Sequence, residues 1–203
     1  MIALIDYRAG NLTSVRKALT ALGVEFVTPA TPGDLTDAAG IIVPGVGHFA
    51  STANLDEPWR DAILRRVESG TPLLGICVGM QWLFAGSEEA PECPGLSLLD
   101  GRCARLTGDA ERRIKVPDVG WNALQSPADV SARLLAGVAQ GAQVYFTHSY
   151  APPVTANCVA VTTHGESFAA AAERRNVFGV QFHPEKSGDV GLRILKNFLD
   201  ACG

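Results

Sequence analysis

The segment at residues 72–81 constrains the fold more than any other part of the chain. A short apolar run at residues 73–76 follows a proline and leads into a Gly-x-Cys-x-Gly motif at residues 75–79. Apolar runs bounded in this way are typical of a buried strand. The residues after the motif favour a helix. We therefore expect Cys77 at the tip of a sharp strand-to-helix turn, the arrangement known as a nucleophile elbow.

Such a turn would favour reactivity at Cys77. The sulfur would lie at a helix N-terminus, where unpaired N–H groups and the helix dipole favour the thiolate over the thiol. An isolated free cysteine is more commonly a small buried apolar residue. The flanking glycines, which permit a tight backbone and close approach of a ligand, favour a nucleophile instead.

Strands and helices alternate through the first half of the chain. The apolar patterns predict strands at residues 2–7, 24–27, 41–43 and 73–76, and helices at residues 11–22 and 59–67. This alternation indicates an α/β fold with an open, mostly parallel sheet and helices on both faces, as in flavodoxin-like cores. In such sheets the reactive groups gather beyond the carboxyl ends of the strands.

The second half has a more mixed pattern. Strands are predicted at residues 96–106, 121–124, 143–148 and 177–182, an antiparallel pair at residues 158–163 and 168–173, and helices at residues 128–135 and 190–199. The last helix would turn Ile194, Leu195 and Phe198 inward. No linker or repeat interrupts the pattern, so we expect one domain spanning residues 1–203.

Charge and cysteine content exclude several classes of protein. The chain is 47% hydrophobic and 19% charged, with a net charge of −4 and no Lys/Arg block, so we expect neither a nucleic-acid nor a membrane partner. The first residues lack the basic region of a signal peptide. The five cysteines lack CxxC spacing, which argues against a disulfide framework and a zinc site. We expect a cytoplasmic protein with no metal and no cofactor.

A second informative stretch, Gly-Val-Gln-Phe-His-Pro-Glu, occupies residues 179–185. Pro184 favours extended geometry at His183, and residues two apart in an extended segment point the same way. Glu185 would then orient the His183 imidazole, which together with Cys77 gives the arrangement that activates a thiolate. The acid precedes the histidine in α/β-hydrolases, so the order found in this chain disfavours an esterase-type hydrolase.

The glycine-rich turn Pro-Gly-Val-Gly-His at residues 44–48 follows a predicted strand. Backbone N–H groups of such a turn, at Val46 and Gly47, can bind an anion. With the N–H of Val78 they would form an oxyanion hole, where each donor contributes about 3 kcal/mol. The spacing also loosely matches a dinucleotide loop, but the acid expected about 20 residues further on is missing. Together the motifs indicate acyl transfer through a thioester.

The turn at residues 44–47, the elbow at 75–81 and the Phe-His-Pro-Glu sequence at 182–185 resemble the class I (triad) glutamine amidotransferases. Further blocks at residues 5–12, 87–89, 115–122, 145–150 and 186–188 are similar to the glutaminase subunits of imidazole glycerol phosphate synthase. The resemblance spans nearly the whole chain.

The resemblance implies that Cys77, His183 and Glu185 hydrolyse glutamine to glutamate and ammonia. The ammonia would pass to a (βα)8-barrel cyclase, which converts a phosphoribulosyl aminoimidazole carboxamide intermediate (PRFAR) to imidazole glycerol phosphate and an aminoimidazole carboxamide ribotide (AICAR) in histidine biosynthesis. The alternatives are a glutaminase that supplies another ammonia-using synthase, a noncatalytic scaffold, and a cysteine hydrolase of another family.

Roles for further residues also follow from the resemblance. Those expected to hold glutamine are Gly47, Gln81, Glu89, His148, Ser149 and Tyr150. Those expected to face the cyclase are Asn11, Trp121, Asn122, Tyr145 and Lys186. Two departures from the family pattern, Arg8 in place of glycine and Asp118 in place of histidine, bear on docking and coupling.

A partner is also expected on chemical grounds. Ammonia is a poor product to release to solvent, and the sequence shows no second domain or nucleotide motif with which to use it. We therefore expect the acceptor site on another polypeptide, and slow glutamine hydrolysis by this chain alone.

Overall fold

The computed structural model describes residues 1–9, 12–111, 113–127 and 131–203. The strands are β1 (Ile2–Leu4), β2 (Phe26–Val27), β3 (Gly40–Gly45), β4 (Leu73–Cys77), β5 (Ala104–Arg105), β6 (Asp118–Ala123), β7 (Gln143–His148), β8 (Tyr150–Ala151), β9 (Cys158–His164), β10 (Glu166–Arg174) and β11 (Val177–Val180). The α-helices are α1 (Leu12–Ala21), α2 (Glu57–Glu68), α3 (Val78–Leu83) and α4 (Gly188–Asp200).

A seven-stranded sheet with the order β2-β1-β3-β4-β11-β10-β9 forms the centre of the fold. The first five strands in this order pair in parallel, whereas β10 pairs antiparallel with both β11 and β9. Two smaller antiparallel sheets are formed by β5 with β8 and by β6 with β7. The predicted fold class, a mostly parallel sheet with a more mixed second half, is confirmed.

Helices cover both faces of the central sheet. α1 connects β1 to β2 in one direction along the sheet, and α2 connects β3 to β4 in the other. Because crossovers between parallel strands are right-handed, these two helices lie on opposite faces. α3 lies beside α2, since the Arg60 guanidinium is 5.8 Å from the centre of the Trp82 ring. Every residue of β3 and β4 is buried, as expected for central parallel strands.

Two predictions for the second half were wrong in the described residues. The stretch at residues 96–106 contains only the two-residue strand β5, because its buried leucines pack as a loop against the end of α3. The N–H groups of Leu96 and Leu98 bond the carbonyls of Trp82 and Leu83, which a helix end leaves without partners.

The predicted helix at residues 128–135 is not observed either. Residues 128–130 lie outside the described part, and residues 131–135 are irregular backbone that leads through a bend into a turn. Asn197 of α4 fixes this segment by donating to the carbonyls of Leu134 and Ala136 at 3.0 and 2.9 Å. The apolar residues there enter the core from turns, which a periodic pattern does not distinguish from a short helix.

Candidate active site

The elbow has the predicted geometry. β4 ends at Cys77 and α3 begins at Val78, and Cys77 has φ 54° and ψ −110°, a conformation that costs a non-glycine residue about 1–3 kcal/mol. A Cβ atom at Gly79 would overlap the Val43 carbonyl, and one at Gly75 would lie 2.5 Å from the Gly79 carbonyl oxygen. The glycines are therefore required by the close approach of α3 to β3 and β4.

The His183 ring and the Glu185 carboxylate form a buried pair beyond the end of β11. Nδ1 of His183 lies 2.8 Å from Oε1 of Glu185, and the two side chains are 1% and 2% exposed. Burial disfavours a charged ring, but interactions with the Cys77 sulfur and the Glu185 carboxylate outweigh burial and raise the pKa of His183 to about 9. The structure thus brings Cys77, His183 and Glu185 together, and His183 Nε2 has no hydrogen-bond partner among the described residues.

The glycine-rich turn adjoins the elbow, because Gly45 at the end of β3 is paired with Cys77 in the sheet register. The N–H of Val46 donates to the Ala9 carbonyl at 2.9 Å, so in this structure it is not directed at an oxyanion. Gly47 follows with φ 88°, in the left-handed region that favours glycine. An oxyanion hole that uses Val46 and Val78 stays a prediction, and it requires the Val46 peptide to leave Ala9.

Glu89 is placed at the far end of the same turn. Its Oε2 atom accepts a hydrogen bond from the Phe49 N–H at 2.7 Å, and its own N–H donates to Ser87 Oγ at 3.2 Å. Glu89 is half-buried. A carboxylate in this position provides negative charge beside the candidate oxyanion turn.

Three further predicted glutamine-binding residues, Gln81, His148 and Tyr150, share one backbone carbonyl. The Tyr150 carbonyl accepts from Gln81 Nε2 at 2.7 Å and lies 3.0 Å from His148 Nδ1. Because a carbonyl can only accept, Nδ1 carries the hydrogen. Burial, aided by the charge of His183, lowers the pKa of His148 to about 3, so its Nε2 is an acceptor. Neither this atom nor Gln81 Oε1 has a partner among the described residues.

Ser149 lies between two of these residues and is half-buried. Its carbonyl accepts a hydrogen bond from the Leu106 N–H at 2.8 Å, which ties the end of β7 to the loop after β5. The backbone around residues 148–150 is therefore held on both sides, as a binding segment requires.

The predicted partner-facing residues divide into two groups. Trp121 is 54% exposed and lies edge-on to Tyr145 at 5.9 Å, and Lys186 Nζ lies 5.7 Å from the Tyr145 ring. The Asn122 amide instead donates to both carboxylate oxygens of Asp118 at 3.0 and 2.8 Å. Asn11 lies outside the described residues. Trp121, Tyr145 and Lys186 thus form one cluster, and Asn122 is paired within the chain.

Asp118, one of the two departures from the family pattern, is buried beneath this surface. It also faces His164, whose Nδ1 atom is 3.2 Å from Oδ1. Burial raises the pKa of Asp118 against the opposing effects of His164 and Asn122. The aspartate therefore links β6 to the last residue of β9.

Sequence reasoning did not identify four residues of this region. Gln181 is fully buried, with Nε2 3.6 Å from the Cys77 sulfur. Ser187 Oγ donates to the His183 carbonyl at 2.7 Å and accepts from the Tyr145 N–H at 3.0 Å. Tyr7 is also close, since a Cβ atom at Gly45, the register partner of Cys77, would overlap the Tyr7 hydroxyl; burial and the charge of Cys77 raise the pKa of that hydroxyl. The fourth is Val119, 58% exposed on the same face of β6 as Trp121.

Two of these residues could have been found from the sequence. Gln181 precedes His183 by two positions in an extended segment, and Val119 precedes Trp121 by two positions in a strand. Side chains two positions apart in an extended segment point the same way, so Gln181 lies on the side of His183 and Val119 on the side of Trp121.

Within the described ranges, no helix is long and apolar enough to cross a membrane. In the same part of the chain, no group of three or more His, Cys, Asp and Glu residues could hold a metal ion.

The model of the family "Glutamine amidotransferase class-I" matches residues 3–202. The chain therefore belongs to the class-I glutamine amidotransferases and is an enzyme of that family. A solved structure titled "Crystal structure of glutamine amidotransferase" superimposes with a TM-score of 0.77 at 21% identity, covering 100% of both chains. At that identity the likeness concerns the fold alone.

Two curated relatives are much more similar. A protein of Halobacterium salinarum called imidazole glycerol phosphate synthase subunit HisH is 45% identical over 210 residues, covering 99% of this chain and 93% of the relative. A protein of Moorella thermoacetica with the same name is 47% identical over 201 residues, covering 97% of this chain and 93% of the relative. Within the amidotransferase family, the chain is thus similar to these synthase subunits.

Proposed function

We propose that this chain is the glutaminase subunit of imidazole glycerol phosphate synthase and hydrolyses L-glutamine to glutamate and ammonia for histidine biosynthesis. The observation that carries the proposal is the Cys77 elbow beside the buried His183–Glu185 pair, 2.8 Å from Nδ1 to Oε1. The identity of 45–47% to two HisH subunits supports the choice of synthase.

The reaction uses the three residues in sequence. The Cys77 thiolate attacks the γ-carboxamide carbon, and the carbonyl oxygen takes the negative charge. As the intermediate collapses, the C–N bond breaks and His183 transfers its proton to the nitrogen, which leaves as ammonia. His183, now neutral, removes a proton from water, whose oxygen attacks the thioester. The C–S bond breaks, releasing glutamate and returning the thiolate and the protonated ring.

The substrate-binding residues of the proposal are Gly47, Gln81, Glu89, His148, Ser149 and Tyr150. Gln81 Oε1 and His148 Nε2 are buried acceptors suited to the N–H groups of a bound amino acid. Neutral His148 also adds no second positive charge beside His183. Val46, Gly47 and Val78 supply the backbone donors for the oxyanion.

The partner in this proposal is a (βα)8-barrel cyclase that converts PRFAR to imidazole glycerol phosphate and AICAR. The chain acts as one amidotransferase domain in the cytoplasm and forms a heterodimer through the surface of Trp121, Tyr145 and Lys186. The Val46 N–H is bonded to Ala9 at 2.9 Å, so one oxyanion donor is not available in the chain on its own. Docking of the cyclase would have to release it.

A glutamate-release assay tests the proposal. The chain alone should hydrolyse glutamine slowly, and addition of the cyclase with PRFAR should raise the rate by about a hundredfold or more, the effect of one oxyanion donor. Cys77→Ala should abolish release under all conditions. Full activity of the isolated chain would contradict the partner dependence, and stimulation by a different ammonia-using synthase instead would contradict the choice of synthase.

A further inference from the structure

Gln181 lies against the nucleophile and is one of the most buried polar residues of the chain. Its side chain is 0% exposed, and Nε2 lies 3.6 Å from the Cys77 sulfur, within the range of a hydrogen bond to sulfur. A buried amide is retained only when its donors and acceptors are satisfied. We propose that Gln181 donates a hydrogen bond to the Cys77 thiolate and stabilises its negative charge during glutamine hydrolysis.

The orientation of the Gln181 amide follows from its neighbours. The Tyr150 carbonyl can only accept, so the group of Gln81 that faces it at 2.7 Å is the NH₂ group. The same Nε2 atom lies 3.1 Å from Gln181 Oε1, which must therefore be the acceptor. This leaves the Gln181 NH₂ group toward the sulfur, so a single backbone carbonyl determines the direction of two side-chain amides.

The role differs from that of His183. His183 transfers its proton to the leaving nitrogen and is then neutral, so its charge no longer stabilises the sulfur. Gln181 does not titrate, so its hydrogen bond is available to the thiolate before attack and again when the C–S bond breaks. Hydrogen bonds to charged groups are stronger than neutral ones, and loss of one typically costs a factor of ten or more.

The test compares Gln181→Met and Gln181→Glu in the full chain bound to its cyclase. Methionine removes the donor at similar volume, whereas glutamate keeps an acceptor for Gln81 and adds a negative charge. We measure the rate at which iodoacetamide alkylates residue 77 from pH 5 to 10, by peptide mass spectrometry, because the thiolate is the reactive form. The midpoint of this profile should rise by about one pH unit in Gln181→Met and further in Gln181→Glu.

Turnover provides a second readout. In Gln181→Met, kcat for glutamine hydrolysis should fall about tenfold to a hundredfold, while KM changes less than about threefold. Thr162→Val is the matched control: Thr162 is 1% exposed and donates to the Ala123 carbonyl at 2.9 Å in the same domain, away from the sulfur. This variant loses a buried hydrogen bond, and its alkylation midpoint and kcat should not change.

This inference rests on the proposed role of Cys77 as the nucleophile. The outcomes below distinguish failure of the Gln181 role from failure of the proposed function. Unchanged midpoints in both Gln181 variants would overturn the role of Gln181 even if Cys77→Ala is inactive. Glutamate release by Cys77→Ala would overturn the proposed function, whereas the alkylation profile would still measure the hydrogen bond to the sulfur. An equal shift in Thr162→Val would also overturn the inference, since it would trace the effect to loss of stability.

Discussion

At the scale of single residues, the site depends on where protons and hydrogen bonds are held. His183 and His148 lie in one network, but their pKa values move in opposite directions, to about 9 and about 3. Both rings are buried. His183 faces the Glu185 carboxylate and the Cys77 sulfur, whereas His148 faces a neutral carbonyl. Only the surroundings of His183 offset the free-energy cost of burying a positive charge.

This difference predicts how stability depends on pH. The pKa of His183 is raised from 6.5 to about 9 on folding, so the native state binds more protons between these values. The free energy of unfolding should therefore fall as the pH rises from about 6.5 to 9, and the full contribution should be present below about 6.5. Glu185→Gln should reduce the fall, as measured by urea unfolding from pH 6 to 9.5.

His183→Asn is the control for this measurement, because its side chain does not titrate. In that variant, the part of the decrease in unfolding free energy that comes from His183 should be absent. An equal fall in His183→Asn and the parent chain would show that other groups cause the pH dependence.

At the scale of elements, the contact between β3 and α3 places Cys77, the proposed nucleophile. Gly79→Ala would put a methyl group into the Val43 carbonyl, so β3 or α3 must move. We expect a loss of about 2–4 kcal/mol in the free energy of unfolding, measured with urea.

The matched control for this variant is Gly33→Ala in the short 3₁₀ helix Pro32–Leu35. A Cβ atom at residue 33 would lie 3.7 Å from Thr31 Oγ1, an ordinary contact. Its effect should stay below about 1 kcal/mol. Similar losses in both variants would contradict a steric cause at Gly79.

The elements also show what the sequence can predict. The parallel half and the elbow were predictable because each depends on a local apolar run ended by glycine or proline. The link of His183 to Glu185 follows from a two-residue spacing. The contact of Gln181 with Cys77 joins residues 104 positions apart, and the bond from Val46 to Ala9 joins two separate loops. Neither contact has a local signal, since both arise when the sheet assembles.

The errors in element assignment have a related cause. Residues 96–106 contain buried leucines, and the apolar pattern does not show whether they pair with a strand or cover the end of a helix. In the structure their backbone N–H groups satisfy the last carbonyls of α3. Whether residues 96–106 form a strand or a loop therefore depends on the end of α3, which the apolar pattern of these residues does not reveal.

At the scale of the whole molecule, the sheet of β6 and β7 provides an exposed apolar surface beside the site. Val119 and Trp121 are 58% and 54% exposed, and Tyr145 connects them to the catalytic region, because its carbonyl accepts from the His183 N–H at 2.9 Å. Exposed apolar residues grouped in this way are typical of interaction surfaces. The surface therefore lies one hydrogen bond from His183, the proposed catalytic histidine.

This surface predicts which substitutions affect assembly. Trp121→Ala should weaken binding to the proposed cyclase partner about tenfold or more, and Val119→Ala should weaken it a few-fold, as measured by titration calorimetry. Val154→Ala is the matched control, because Val154 is 50% exposed and lies outside this sheet. Equal affinity of all three variants for the cyclase would exclude β6 from the interface.

The close packing around the elbow also limits which parts of the enzyme can adapt. Backbone atoms of α3 lie against Gly75 and those of β3 against Gly79 so closely that the backbone on either side of Cys77 has little room to move. The hydrogen bond from the Val46 N–H to the Ala9 carbonyl lies instead in the loops beside the elbow, and under the proposed function this is the contact that must change before Val46 can bind an oxyanion. The backbone of the proposed nucleophile is thus fixed by its neighbours, and any adjustment that catalysis requires would fall on the loops around it.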